Sequence, residues 1–187
     1  MHRLLPAVVL VALSLASEAS AQTTWNDSST DWNTSGSWDA GVPTGAIVAS
    51  LPNDASVANQ PTLTANGSAL GLTVDNAGAD YTIGGSAFVL DLGTSGIVSS
   101  GAGNLTIQPT LNLVASQSWA NNAGSANLIR VTGNLTGGSG VVLTIANATA
   151  SNSNTPANIR FSGNNSGFLG NITTAASDSF GILLEAP

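Results

Sequence analysis

The sequence predicts an all-β protein, and three observations support that prediction. Short runs of β-branched and apolar residues recur along the chain, and glycine, asparagine or serine closes each run. From residue 46 onward, strand and turn signals alternate at intervals of roughly 8–12 residues, a spacing typical of all-β folds. The same region lacks the apolar period of a long amphipathic helix, which indicates that the runs are strands.

The clearest strand signals lie between residues 71 and 145. The predicted strands are residues 72–74, 81–83, 88–92, 105–107, 111–114, 129–131 and 141–145, and residues 46–51 start the series. Alternation within these runs, as in Leu-Thr-Val at 72–74, directs one set of side chains into a core. The small polar side chains between them are left outside.

A short sequence pattern recurs along the chain. Gly-Asn-Leu-Thr occurs at 103–106 and 133–136, Gly-Asn-Ile-Thr at 170–173 and the looser Gly-Leu-Thr-Val at 71–74. The intervals are about 30 residues, and a repeat of that length with several short strands fits one or two turns of a solenoid with variable loops. Short alternating strands do not by themselves specify parallel pairing, so an antiparallel β-sandwich is the alternative fold.

The charge of the chain excludes two classes of partner. The 187 residues carry a formal net charge of −7, and lysine is absent. Beyond the first residues the cations are Arg130 and Arg160, which cannot form the basic patch that neutralises phosphates. We therefore expect no nucleic-acid partner and no attraction to an anionic membrane surface.

The scarcity of reactive residue types removes most catalytic chemistry. Cysteine and lysine are missing, and the single histidine is His2. The rest of the chain has no thiol nucleophile, no amine, no imidazole base and no imidazole ligand for zinc. We predict that the protein is not an enzyme and that it has no cofactor and no metal site.

The first 21 residues have the three regions of an export leader. Met-His-Arg at 1–3 is a short basic start, residues 4–15 are apolar but too few to span a bilayer, and Ala-Ser-Ala at 19–21 is a small-x-small cleavage site. The predicted segments are a signal peptide at 1–21, a tryptophan-rich N-terminal cap at 22–45 and a β-strand repeat region at 46–187. We expect the mature chain to pass through the periplasm to the outer cell surface or the medium, with no membrane-spanning segment.

Two stretches resemble bacterial autotransporter-associated β-strand repeat proteins. Trp32, Trp38 and Pro43 are spaced as at the start of such proteins. Phe-Ser-Gly-Asn-Asn-Ser-Gly-Phe at 161–168, followed by Asn-Ile-Thr at 171–173, resembles the repeat of that family. The resemblance implies a right-handed parallel β-helix that is displayed at, or released from, the cell surface, often as an adhesin.

Composition and resemblance together lead to a functional expectation. We expect a secreted or cell-surface scaffold that is structural or adhesive and has no catalytic activity. Its expected partners are surface glycans or receptors on host or neighbouring cells. A continuation of the chain or a neighbouring β-solenoid chain is a further expected partner.

Three of the four tryptophans lie close together in the N-terminal segment. Trp25, Trp32 and Trp38 stand among turn-forming polar residues. Exposed rings of this kind stack on sugar faces, so a carbohydrate-binding module is the first alternative function. We favour the interpretation in which these rings seal the open end of the first solenoid coil. We expect the fourth, Trp119, to be a packed loop anchor.

Carboxylates are the remaining catalytic candidates. Asp75 and Asp80 flank a turn, and Asp91 lies within a predicted strand. A polysaccharide-degrading β-helix that uses two carboxyls about 5–10 Å apart is the second alternative function. Aspartate at turns is also favoured for ordinary local hydrogen bonding, which is the interpretation we prefer.

Signal peptidase should cleave the chain after Ala21, because the basic, apolar and small-residue regions follow one another in the order that the enzyme recognises. Intact-mass measurement of the exported protein should find Gln22 as the first residue. A soluble cytoplasmic product that still begins at Met1 would contradict the predicted leader.

Overall fold

The computed structural model describes residues 20–53, 57–76, 78–122, 127–146, 159–175 and 182–184. The strands are β1 (Gln22–Thr24), β2 (Val48–Leu51), β3 (Gly67–Asn76), β4 (Tyr81–Ile83), β5 (Val89–Gly101), β6 (Leu105–Ile107), β7 (Thr110–Leu113), β8 (Gln117–Asn121), β9 (Ile129–Val131), β10 (Leu135–Gly137), β11 (Val142–Ala146), β12 (Ile159–Phe161), β13 (Asn171–Thr174) and β14 (Ile182–Leu184). A single 3-10 turn, Ser35–Ser37, is the only helical element of the described residues. None of this described helical structure is long and apolar enough to cross a membrane.

All pairings between these strands are parallel, and they stack into a β-solenoid of about five turns. The all-β class and the parallel β-helix are therefore confirmed, and the antiparallel sandwich is wrong. Hydrogen-bonded steps between neighbouring coils span, for example, 24 and 30 residues, so an interval of about 30 residues holds about one turn, within the one or two turns expected for it.

The stacked strands divide the solenoid into three faces. Face 1 consists of β1, β2, residues 71–76 of β3, residues 96–101 of β5, β8, β11 and β13. Face 2 consists of residues 67–69 of β3, residues 89–92 of β5, β7 and β10. Face 3 consists of β4, β6, β9, β12 and β14. Faces 1 and 2 belong to one sheet, because β3 and β5 continue around the corner between them.

Register on face 3 gives the true length of a coil. Tyr81 pairs with Leu105, Leu105 with Ile129, Ile129 with Ile159 and Ile159 with Ile182. Hydrogen bonds between equivalent corner positions span 24 residues from Asp80 to Asn104 and again from Asn104 to Leu128. A later step, from Asn134 to Asn164, spans 30 residues. The coils are thus unequal in length, although the strands of face 3 stay in register.

The recurring Gly-Asn-Leu-Thr pattern does not mark this coil period. Its copy at 103–106 enters β6 on face 3, the copy at 133–136 enters β10 on face 2, and the copy at 170–173 enters β13 on face 1. The pattern recurs because every corner needs a turn residue followed by an alternating strand. It identifies corners, and stacking alone decides which corners are equivalent.

The pattern of apolar residues did not predict strand β8, and the prediction that Trp119 lies in a loop is wrong. Gln117, Trp119 and Asn121 all point inward and are buried, while Ser118 is exposed. Two of these three inward positions are polar, so apolar alternation is lost. The amide of Gln117 compensates by donating to the carbonyl of Leu92 and accepting from Trp119 Nε1 at 2.9 Å.

The core runs through the inside of the solenoid. On face 3 the inward pairs are Tyr81 and Ile83, Leu105 and Ile107, Ile129 and Val131, and Ile159 and Phe161. All of these side chains are at most 1 % exposed, and the residue between each pair points outward. Each coil therefore buries its apolar residues mainly against the coils directly before and after it.

Coils approach one another closely at the corner between faces 3 and 2. A Cβ on Gly133 would overlap the carbonyl oxygen of Pro109, and a Cβ on Gly163 would overlap that of Gly133. Only glycine allows this stacking of one backbone directly on another. By contrast, Gly138 has open space around its Cβ position.

Gly133→Ala should destabilise the fold by about 1–3 kcal/mol, because the added methyl forces two coils apart. The measurement is the denaturant midpoint of the purified protein. Gly138→Ala is the matched control and should change stability by no more than about 0.5 kcal/mol. Equal midpoints for the two variants would show that the corner tolerates a wider spacing.

Candidate functional site

The three N-terminal tryptophans form one buried cluster. The exposed fractions of Trp25, Trp32 and Trp38 are 1 %, 0 % and 3 %. The ring of Trp38 lies 5.1 Å from that of Trp25 and 4.8 Å from that of Trp32, edge to face in both cases. Edge-to-face contact of this kind adds to the apolar burial of large rings.

Hydrogen bonds hold two of the three rings of this cluster in place, whereas Trp32 Nε1 is buried without a partner. Trp38 Nε1 donates to the carbonyl of Trp32 at 2.8 Å, and Trp25 Nε1 donates to the carbonyl of Asn59 at 3.1 Å. The cluster packs onto core residues of the first coils, including Ala49 and Leu51. Its position covers the end of the core, and protein covers its ring faces. A sugar-stacking platform needs exposed ring faces, which these residues do not offer.

Carboxylates brace the same N-terminal unit, a role that the sequence analysis did not assign. Asp31 accepts hydrogen bonds from the hydroxyls of Thr34 at 2.7 Å and Thr64 at 2.8 Å, and these lower the pKa of its carboxyl. The backbone N–H of Thr24 donates to Asp39 at 2.6 Å and lowers the pKa of that carboxyl. The only sequence signal for this role is the general tendency of aspartate to bond nearby backbone and hydroxyl groups.

The carboxylates singled out as catalytic candidates have separate surroundings. Asp75 is exposed near the end of β3 on face 1, where its Cα pairs with that of Ser100. Asp91 lies on face 2 and accepts a hydrogen bond of 2.8 Å from Asn112 Nδ2. Thr136 in turn donates to the amide oxygen of Asn112, which extends a polar ladder over three coils.

Asp80 is the candidate that stands beside a cavity. It lies in the turn before β4 and accepts hydrogen bonds from Asn104, through the backbone N–H at 2.8 Å and through Nδ2 at 3.0 Å. The cavity, on face 3, has a volume of about 130 Å³ and is lined by Asp80, Asn104, Thr106, Leu128 and Arg130. Among the described residues, no three histidine, cysteine or acidic side chains group closely enough to hold a metal ion.

This cavity brings together residues that the sequence analysis treated separately. Asp80 was considered for catalysis, Asn104 as part of a turn pattern and Arg130 only as a cation. Their positions in the chain are far apart, and no motif joins them. Only the register of β4, β6 and β9 could have predicted their meeting.

Comparisons of the chain with protein-family models, with curated proteins and with solved structures found no match. The resemblance of residues 32–43 and 161–173 to autotransporter-associated repeats therefore stays a prediction. What the molecule does has to be argued from its own geometry.

Trp38→Ala should lower the free energy of unfolding by about 3–5 kcal/mol, because it removes the ring that contacts both other tryptophans. That loss is a large share of the roughly 5–15 kcal/mol that stabilises a domain. The denaturant midpoint measures it. Leu169→Ala is the control, since that side chain is 68 % exposed, and it should leave the midpoint nearly unchanged. An unchanged midpoint for Trp38→Ala would defeat the capping role.

Acid should weaken the N-terminal unit. The pKa values of Asp31 and Asp39 lie below the ordinary value of 3.8 in the folded protein, so both groups stabilise it when ionised. This stabilisation is present above the unfolded-state pKa and is lost as the pH falls through the lower folded-state values. Denaturant midpoints measured from pH 6 downward should fall below about pH 4.

The aspartate variants provide the comparison for this pH dependence. Asp31→Asn and Asp39→Asn should each have a lower midpoint at neutral pH and a flatter decline in acid. Circular dichroism at each pH verifies that the starting state is folded. An acid decline as steep in the double variant as in the unmodified protein would show that other groups cause it.

Proposed function

We propose that this protein is an exported, cell-surface scaffold that acts by adhesion and has no catalytic activity. The observation that carries the proposal is the solenoid itself, whose outward positions hold mainly small, uncharged side chains. Such a surface suits contact with other macromolecules over an extended area. The leader-like residues 1–21, of which residues 1–19 lie outside the described part, support export from sequence alone.

Face 1 is the longest of these surfaces. Seven strand segments lie side by side in it, which at about 4.8 Å per strand makes a surface about 30 Å long. Residues that point outward from it include Thr73, Val98, Ala120 and Ala146. A rigid surface of this size holds any attached contact site at a constant distance from its neighbours.

The surroundings of the acidic residues favour a scaffold over a polysaccharide-degrading enzyme. Glycoside hydrolysis needs a carboxyl pair flanking one bond. Asp91 on face 2 is engaged with Asn112, and Asp80 before face 3 is engaged with Asn104. These hydrogen bonds join neighbouring coils, so they serve the solenoid directly.

Asp75→Asn and Asp91→Asn should leave adhesion and stability unchanged, within about 0.5 kcal/mol of unfolding free energy. An asparagine at 91 can still accept the hydrogen bond from Asn112. Adhesion is measured as binding of protein-coated beads to cells, and catalysis as release of reducing ends from a panel of polysaccharides. Turnover by the unmodified protein that either change abolishes without unfolding would replace the scaffold with an enzyme.

A further inference from the structure

The cavity on face 3 is built by three consecutive coils. Asp80, Asn104 and Leu128 occupy equivalent positions, each one residue before the strand of its coil. Thr106 and Arg130 are the outward residues of β6 and β9, and they pair in register. The volume of about 130 Å³ equals the space of about four water molecules. It is large enough to receive the hydroxyl-bearing edge of a single sugar ring.

Hydrogen bonds between the coils make the wall of this cavity rigid. Asp80 accepts from Asn104 N at 2.8 Å, and Asn104 Oδ1 accepts from Leu128 N at 2.9 Å. This chain of bonds fixes the spacing of the three coils. A ligand that enters finds polar groups already in position, so little ordering is needed on binding.

Arg130 is the unusual member of the site. Its Nε is buried and has no hydrogen-bond partner. Asp80 and Arg130 line the same cavity, yet no hydrogen bond or ion pair joins them among the described residues. A guanidinium has five N–H donors, and a buried donor without a partner calls for an explanation. The cavity therefore places an acceptor and an unused donor group around one space.

The hydroxyl group is the ligand chemistry that fits this arrangement. A hydroxyl can donate to the Asp80 carboxylate, and a second hydroxyl on the next carbon can accept from the Arg130 guanidinium. Thr106 can do either, and Leu128 offers apolar surface to ring C–H groups. One carboxylate and one guanidinium leave the lining without net charge, so a neutral ligand loses least on entering. We propose that this cavity binds a neutral pyranose through two adjacent hydroxyls.

Because of the nearby Arg160, the competing ligand is an acidic sugar. Arg160 pairs in register with Arg130 on the next coil and adds positive charge nearby. This positive charge would attract a sugar carboxylate, but Asp80 and the net charge of −7 on the chain would repel it. The neutral sugar is therefore favoured. For its biological setting the inference depends on the proposed adhesive function, because this site would be the contact with surface glycans.

Ligand-observed saturation-transfer NMR on the purified protein tests the inference directly. The probes are methyl glycosides of glucose, galactose and mannose at millimolar concentration, with the methyl glycoside of glucuronic acid as the acidic comparison. We expect at least one neutral glycoside to bind. Arg130→Gln removes the donor group, and Thr106→Ile fills the cavity with a residue that suits a strand. Each should weaken binding at least about tenfold.

Arg160→Gln is the matched control, because it removes the same charge from outside the cavity lining, and it should leave binding unchanged. Denaturant midpoints establish that each variant is folded, and Thr106→Ile serves if Arg130→Gln is not. Three results would overturn the inference: no neutral glycoside binds, only the glucuronide binds, or the cavity variants bind normally. Sugar binding without bead adhesion would instead count against the proposed function alone.

Discussion

The structure depends on parallel backbone hydrogen bonding between one coil and the next. Strands as short as β4, β6 and β9 hold only three residues each, and such a strand has no stability alone. Stacking supplies partners for its N–H and C=O groups and brings its inward side chains over those of the adjacent coil. Among the described residues, the first coil has a neighbouring coil on only one side, so its apolar end needs a cover. That cover consists of the rings of Trp25, Trp32 and Trp38, which lie in a segment with almost no regular strand.

The same constraint explains where the polar side chains are used. Corner residues extend the ladder beyond the strands, since their side-chain oxygens accept from the backbone of the next coil. Asn66 accepts from Val89 N and Asn134 accepts from Asn164 N, both at 3.0 Å. Aspartates 27, 31 and 39 act similarly within the N-terminal unit. These carboxylates therefore form hydrogen bonds that stabilise the fold, and their presence alone does not indicate catalysis.

The Arg130 site combines a cavity with a buried donor that has no hydrogen-bond partner. Among the described residues, Trp32 Nε1 and Asn122 Oδ1 are also buried without a partner, but the Arg130 side chain lines a cavity together with Asp80. Under the proposed adhesive function, one such site on its own would bind a sugar weakly. Many copies of the protein on one surface would then raise the effective affinity by multivalency.

Sequence alone determined the fold class and several strands, because alternation and turn residues are local properties. The bounds of β4, β6 and β9 match the predicted runs, since each has two large apolar residues around one polar or charged residue. Strand β8 escaped prediction because Gln117 and Asn121 fill inward positions that become acceptable only when their amides donate to the carbonyls of Leu92 and Asn127. Parallel pairing, coil length and the meeting of Asp80 with Arg130 were decided by the tertiary structure. These depend on which corner stacks on which, and that is set by the backbone register of whole coils, a non-local property that no short sequence pattern records.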